Sequence, residues 1–193
     1  MKVFREVAIT VLIAVAVFAV LRLTVQAYTV FQQCMEPNFY EGDCIMVNKV
    51  CYHFSDPQRG DVIVLEPPFQ SEHPFVKRVI GLPGEIVEIK DGKVSINGTA
   101  LEEDEYIKER PNYAMEAKEV PEDEYFVLAD NRNNANDSHY GWTVPRENIV
   151  GRAWFIYWPP SRWGLVKHYS YDLPALEGQE MVICQSPGVQ LER

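Results

Sequence analysis

The sequence predicts a mainly β protein, in which an antiparallel β-domain follows a single amino-terminal helix. An apolar run extends from Val7 to Leu21, and only Thr10 interrupts it. Short runs rich in β-branched and aromatic residues then recur between turn signals, as in a sheet of short strands. No long amphipathic helical pattern follows residue 33.

The first element is the apolar run, which begins behind the basic residues Lys2 and Arg5. A cleaved signal peptide would have this basic start, with Val25-Gln26-Ala27 as a small-residue cleavage site. A membrane anchor needs about 20 residues, so its helix would continue through Arg22, whose long side chain can reach the headgroups. Both interpretations place the rest of the chain outside the cytoplasm, because the positive charge lies at the amino end.

Seven strands are expected after this segment. Asp91-Gly92 is typical of a two-residue hairpin turn, and proline pairs such as Pro159-Pro160 mark loops. The predicted strands are Cys44 to Val50, Asp61 to Leu65, Phe75 to Ile80, Ile86 to Lys90, Lys93 to Ile96, Tyr125 to Leu128 and Ile149 to Tyr157. Residues 165–193 carry little pattern and are interpreted as a loosely attached tail.

Composition and charge exclude several classes of protein. The 193 residues suffice for about one domain with an anchor or tail. Apolar residues make up 47% and charged residues 24%, unlike a disordered or collagen-like chain. A net charge of -10 argues against nucleic-acid binding, which normally needs a basic face. Residues 102–124 contain ten acids and three bases, and we interpret them as a solvated surface loop.

The four cysteines do not form a metal-binding pattern. Cys34, Cys44, Cys51 and Cys184 include no Cys-x-x-Cys pair, and no paired histidines accompany them. We therefore predict no metal site and no cofactor. Disulfides are allowed outside the cytoplasm, but four cysteines do not reveal their connectivity.

Lys77 is the residue whose sequence context suggests chemistry. It lies beside Arg78 in the strand-like run from Phe75 to Ile80, so the two basic side chains point to opposite faces. A lysine pressed against apolar surface loses hydration, and its pKa falls from roughly 10.4 toward neutrality. Such a lysine can act as a general base. The alternative is an ordinary lysine on an edge strand whose amine reaches solvent.

Several sequence boxes occur in a distinctive order. They are Cys34-Met35-Glu36-Pro37, Glu41-Gly42-Asp43, Arg59 to Val64, Val76 to Glu85, and Ala129 to Ser138. Their order and spacing resemble the conserved boxes of bacterial type I signal peptidases, the membrane-bound leader peptidases. The resemblance covers roughly residues 5–164, and the short stretch between the last two boxes indicates the compact form of that enzyme.

The resemblance implies a compact signal-peptidase-type β-domain with an extended-peptide groove, held at the outer membrane surface by a retained helix. The expected regions are a cytoplasmic start and transmembrane anchor (1–31), an extracytoplasmic catalytic domain (32–164) and a tail (165–193). The implied activity is removal of amino-terminal signal peptides from exported preproteins. The expected partners are therefore such preproteins and membrane lipid, without nucleic acid.

The resemblance also implies roles for individual residues. The family combines a serine nucleophile with a lysine general base, which here correspond to Cys34 and Lys77. The oxyanion would be held by the Cys34 backbone N–H and the Gln32 side chain. Substrate pockets are implied at Met35, Phe39, Phe75 and Val76, and structural support at Arg78, Asp130, Arg132 and Asp137.

The sequence departs from the family at two positions that matter for catalysis. Cys34 replaces the serine nucleophile, and Ala135 replaces a serine whose hydroxyl helps orient the lysine amine. A reference thiol has a pKa about two units below that of lysine, so Cys34 beside Lys77 could form a thiolate–ammonium pair that still attacks an amide. The lost orienting bond would cost on the order of 1 kcal/mol.

We therefore expect an active signal peptidase. The alternatives are a catalytically impaired or inactive homologue that binds export substrates or a partner, and a processing peptidase of the same fold dedicated to conjugation or pili.

Overall fold

The structure is a computed structural model in which residues 2–171 are described. Helix α1 spans Lys2–Thr24, and its segment Val3–Thr24 is long and apolar enough to cross a membrane. The 22 residues of that segment extend about 33 Å at about 1.5 Å each, against about 30 Å for the hydrocarbon core of a bilayer. None of its described side chains is buried against the rest of the protein.

Twelve strands follow α1 in the described part of the chain. A four-residue helix, α2 (Cys51–Phe54), and three short 3-10 turns lie in the connections. The strands are β1 (Val25–Thr29), β2 (Cys44–Asn48), β3 (Val62–Leu65), β4 (Phe75–Gly81), β5 (Ile86–Lys90), β6 (Lys93–Ile96), β7 (Thr99–Ala100), β8 (Met115–Glu119), β9 (Glu124–Leu128), β10 (Val144–Pro145), β11 (Ile149–Trp158) and β12 (Gly164–Leu165).

The strands form two antiparallel sheets. The large sheet has the order β1-β2-β11-β3-β4-β9-β10, with β12 paired to β11. The small sheet has the order β7-β6-β5-β8. Asp91 and Gly92 connect β5 to β6, and both have positive φ (52° and 72°). This backbone matches the hairpin turn that the sequence predicts.

Strand β3 lies in the centre of the large sheet and is buried on both faces. Val62 and Val64 contribute to one hydrophobic cluster. Ile63 and Leu65 alternate with them and contribute to another. This period of two follows from strand geometry, and it places hydrophobic core on both sides of the neighbouring strand β4.

The structure confirms the mainly antiparallel β-domain and its single long helix. All seven predicted strands are present within about two residues of their expected limits. The sequence did not predict β1, β7, β8, β10 or β12. Strand β1 lies in the range assigned to the anchor, and β8 lies in the acidic stretch assigned to a loop. The others have two residues each, too short for a periodic pattern.

The segment 164–171, which we call the C-terminal strap, packs against the β-domain. Val166 donates its N–H to the Trp154 carbonyl at 2.9 Å, and the Val62 N–H donates to His168 Nδ1 at 3.1 Å. A Cβ atom on Gly60 would lie only 1.7 Å from the Tyr169 carbonyl oxygen. The expectation of a loose tail is therefore wrong for residues 165–171. Leu165 ends the short strand β12, and the residues after it bind through backbone and side-chain contacts that no periodic sequence pattern marks. Residues 172–193 lie outside the described residues.

Acid is expected to destabilise the protein through His168 in the strap. The pKa of His168 is lowered to about 4, mainly by burial. The nearby positive charges of Arg152 and Arg78 lower it further. In the unfolded chain it is roughly 6.5, so between these values the unfolded state binds more protons. The free energy of unfolding therefore falls as the pH falls through this window.

The expected loss is about 1 to 2 kcal/mol once solvent screening is allowed for. Urea unfolding at pH 7.5 and pH 4.5 measures it. His168→Gln should remove this part of the pH dependence, whereas His53→Gln, at an exposed position, should retain it. Equal pH dependence in both variants would rule out the assignment.

Candidate active site

Cys34 lies in a turn between β1 and β2. It is 5% exposed and belongs to the hydrophobic cluster that contains Met35 and Val76. The turn is closed by the N–H groups of Asn38 and Phe39, which donate to the Met35 carbonyl at 3.0 and 2.9 Å. The Cys34 Sγ lies 3.9 Å from the Val76 carbonyl oxygen, so the thiol approaches β4 next to Lys77.

Lys77 occupies the middle of β4, paired with Ile63 of β3. Because β4 lies between β3 and β9, the alternative of a lysine on an edge strand is wrong. The side chain is 2% exposed, and its Nζ lies 5.1 Å from the centre of the Phe75 ring. Within residues 2–171, Lys77 makes no ion pair with a carboxylate.

A cavity of about 240 Å³ brings these two residues together. Its lining includes the predicted site residues Gln32, Cys34, Phe75, Val76 and Lys77, and also Phe31 and residues 71–74. The chemistry available there is a thiol and an amine on one concave surface that is open to a ligand.

Two residues assigned to substrate pockets lie elsewhere. Met35 is 0% exposed and Phe39 is 2% exposed, and both belong to the hydrophobic cluster that contains Cys34. Neither lines the cavity, and their assignment to substrate pockets stays a prediction. Hydrophobic character alone could not distinguish a core side chain from a pocket wall.

Gln32 adopts a left-handed backbone conformation with φ of 70°. This conformation is uncommon for a residue with a side chain and costs about 1 to 3 kcal/mol unless its surroundings stabilise it. Gln32 is exposed and lines the cavity. Among the described residues the Cys34 N–H donates to no protein acceptor.

Arg78, the neighbour of Lys77, points to the other face of the sheet. It is 0% exposed and forms a bidentate pair with Asp130, at 2.8 and 2.7 Å. The Asp130 carboxylate also accepts from the Asn38 side chain at 2.8 Å. Removing one partner of such a buried pair costs about 3 to 5 kcal/mol. Through the bond from Asn38 to Asp130, the pair also joins β4 to the turn that carries Cys34.

Arg132 and Asp137 hold the chain after β9. Arg132 forms a bidentate pair with Glu103, at 2.9 and 2.7 Å, with both side chains buried. Asp137 accepts from the Ala129 N–H at 3.0 Å and lies 2.6 Å from His139 Nδ1. Ala135, between these two anchors, packs against the cluster that contains Cys34.

Sequence reasoning missed two contacts near the site. Glu103 is a buried ion-pair partner, although it lies in a stretch that reads as a solvated loop. Phe31 stacks on His73 with ring centres 4.0 Å apart, joining the two walls of the cavity. No local signal marks either contact, because each joins residues that are far apart in the chain.

The described residues contain no metal-binding arrangement. In residues 2–171 no group of three or more His, Cys, Asp or Glu side chains could hold a metal ion. Cys34, Cys44 and Cys51 are free thiols in this part of the chain, and Cys184 lies outside it.

Comparison with known proteins identifies the family. The family model described as "Signal peptidase, peptidase S26" matches residues 4–158. A probable signal peptidase I-1 from Synechocystis sp. is 44% identical over 144 residues, 71% of this chain and 73% of that protein.

Two further relatives agree. A signal peptidase I from Leptolyngbya laminosa is 46% identical over 139 residues, 68% of each chain. The chloroplast thylakoidal processing peptidase 1 of Arabidopsis thaliana is 41% identical over 138 residues, 66% of this chain and 40% of that protein. Because the family model matches most of the chain and these relatives exceed 40% identity, the chain belongs to the type I signal peptidase family.

Proposed function

We propose that this chain is a membrane-anchored endopeptidase that removes signal peptides from exported preproteins, with Cys34 as nucleophile and Lys77 as general base. The observation that carries the proposal is the single cavity lined by both side chains. Membership of the family supports a peptidase that acts on signal-peptide-bearing preproteins. The Cys/Lys combination goes beyond that membership.

In the proposed mechanism, the Lys77 amine takes the proton of the Cys34 thiol. The sulfur attacks the carbonyl carbon of the scissile amide, and the Cys34 N–H and the Gln32 amide donate to the developing oxyanion. The C–N bond then breaks, and the Lys77 ammonium protonates the leaving amine. Lys77 next removes a proton from water, whose oxygen attacks the thioester carbon. The C–S bond then breaks, the carboxyl product leaves, and the Lys77 ammonium returns its proton to the Cys34 sulfur.

The cleavage test uses the purified full-length protein and a model preprotein, with and without alkylation of its thiols. Cleavage at the signal-peptide junction that stops when the thiols are alkylated would support the proposal. Cleavage that withstands complete alkylation of Cys34 would refute the cysteine mechanism. No cleavage under any condition would favour the alternative, an inactive homologue that binds export substrates.

The proposed anchor is α1, and β1 supports its retention. A cut after Ala27 would remove Val25, Gln26 and Ala27, which pair with Asn48, Val47 and Met46 of β2. The cut would thus remove three of the five residues of β1, an edge strand that begins directly after α1. The division into regions 1–31, 32–164 and 165–193 stays a proposal. Strand β1 belongs to the first region and most of the strap to the third, yet both contact the β-domain.

The proposed orientation has a cytoplasmic amino end and an extracytoplasmic β-domain, because Lys2 and Arg5 precede the apolar segment. Protease added to spheroplasts is therefore expected to digest the β-domain, as detected with an antibody against it. Protection of the domain in intact spheroplasts would contradict this orientation. A mature chain beginning at Tyr28 would contradict the anchor.

A further inference from the structure

Asn131 connects the end of β9 to the turn that carries Cys34. It is 7% exposed. Its backbone N–H donates to the Cys34 carbonyl at 2.9 Å, and its side-chain Nδ2 donates to the Gln33 carbonyl at 2.9 Å. One residue therefore binds two consecutive carbonyls of the turn, although 98 positions in the chain separate Asn131 from Gln33.

These two bonds act directly after a residue of the turn that has a strained backbone. Gln32, directly before the bound carbonyls, has the left-handed φ of 70°. Such a conformation persists only where the surroundings determine it. Within the turn, the Gln33 carbonyl receives only a longer bond, 3.4 Å from the Glu36 N–H. The shorter bonds from Asn131 are thus external hydrogen bonds that hold the Gln33 and Cys34 carbonyls.

Asn131 also follows directly after Asp130, which binds Arg78 beside Lys77. Consecutive residues therefore hold the strand of the proposed base and the turn of the proposed nucleophile. A shift of Asn131 relative to Asp130 would change the separation between the thiol and the amine.

We propose that Asn131 is a positioning residue that holds the Gln33 and Cys34 carbonyls and thereby sets the position of the Cys34 thiol relative to Lys77. This inference rests on the proposed function, since it assumes that Cys34 and Lys77 act together. Asn131 itself touches neither substrate nor the reacting atoms.

The first test is Asn131→Asp, which keeps the side-chain shape and the backbone N–H but replaces the Nδ2 donor by a carboxylate oxygen. Preprotein cleavage is expected to show a kcat lower by about 10- to 100-fold, because the Gln33 carbonyl loses its donor and faces a carboxylate acceptor. KM should stay within about twofold, since the cavity lining is unchanged. Asn131→Ala, without the repulsion, should show a smaller loss in the same direction.

Asn133 provides a control at an exposed position in the same loop. Its Nδ2 also donates to a distant carbonyl, that of Arg110 at 3.0 Å, but it does not contact the turn of Cys34. Asn133→Asp should keep kcat within about twofold of the unmodified protein. Equal losses of kcat in the two aspartate variants would overturn the proposal.

The second test is the rate of Cys34 alkylation by iodoacetamide at pH 7, followed by mass spectrometry of the Cys34 peptide. If Asn131 positions the thiol, Asn131→Asp should slow labelling several-fold, because the thiol moves away from the Lys77 amine that takes its proton to form the reactive thiolate. A merely structural role predicts faster labelling, because loosening exposes a thiol that is 5% exposed. Faster or unchanged labelling would overturn the proposal.

This second measurement does not depend on peptidase activity. If the unmodified protein cleaves no preprotein, the proposed function fails, while the labelling rates still decide whether Asn131 positions Cys34.

Discussion

Replacing Cys34 by alanine is expected to abolish preprotein cleavage, with kcat lower by at least about 10³-fold. Without the sulfur no acyl-enzyme forms, and the Lys77 amine alone has no adjacent nucleophile to activate. The folded state should persist, because Cys34 packs as a small apolar side chain in a core cluster. Cleavage of a model preprotein, followed by gel electrophoresis, measures the loss, and circular dichroism monitors the fold.

Cys44→Ala is the matched control, because Cys44 is also a free thiol but lies on β2 outside the cavity. It should retain full activity. Preprotein cleavage by Cys34→Ala at the rate of this control would show that the nucleophile lies elsewhere.

The hydroxyl variants test the departure from the family. Cys34→Ser should retain measurable but slow cleavage, because the family geometry suits an oxygen nucleophile while Ala135 lacks the orienting hydroxyl. The double variant Cys34→Ser with Ala135→Ser should be several-fold faster, since a restored bond to the lysine is worth on the order of 1 kcal/mol. A double variant slower than Cys34→Ser would argue against that role of position 135.

Lys77→Arg is expected to abolish cleavage as completely as Cys34→Ala. An arginine side chain stays protonated in proteins, so it cannot accept the proton of the thiol. Lys77→Met should be equally inactive while remaining folded, because it places an unbranched apolar side chain at a buried position beside the Phe75 ring. The rate of preprotein cleavage and the thermal midpoint of unfolding separate catalysis from stability.

Lys93→Arg controls for the substitution itself, because Lys93 is an exposed strand residue on β6. It should behave like the unmodified protein. The general-base assignment is refuted if Lys77→Arg cleaves at the rate of Lys93→Arg. Arg78 provides a contrast, since its loss should act mainly on stability by leaving Asp130 unpaired.

Local patterns were sufficient for much of the fold. The apolar run behind Lys2 and Arg5 predicted α1, and Asp91-Gly92 predicted the hairpin between β5 and β6. Both signals depend on neighbouring residues alone. The two-residue strands and β8, whose residues are mostly charged, carry no such signal and form because longer strands offer them free edges.

Sequence patterns predicted only part of the candidate site. The order of the sequence boxes pointed to Cys34 and Lys77, and the structure brings both to one cavity. The same boxes could not show which side chains line the cavity: Val76 does, whereas Met35 and Phe39, in the same core cluster, do not. Hydrophobicity specifies that a side chain leaves water, but it does not specify which neighbours it meets.

By itself, the sequence determined the family, the amino-terminal helix, the seven main strands and the opposite orientation of Lys77 and Arg78. The family follows from the order of the sequence boxes, and the helix follows from the length of the apolar run. The strands follow from β-rich runs between turn signals, and the opposite orientation follows from a period of two. The tertiary structure alone decided that Glu103 pairs with Arg132, that Asn131 binds the turn of Cys34, and that the strap covers Gly60. These contacts join residues distant in the chain, so their formation depends on how the sheets and loops pack together.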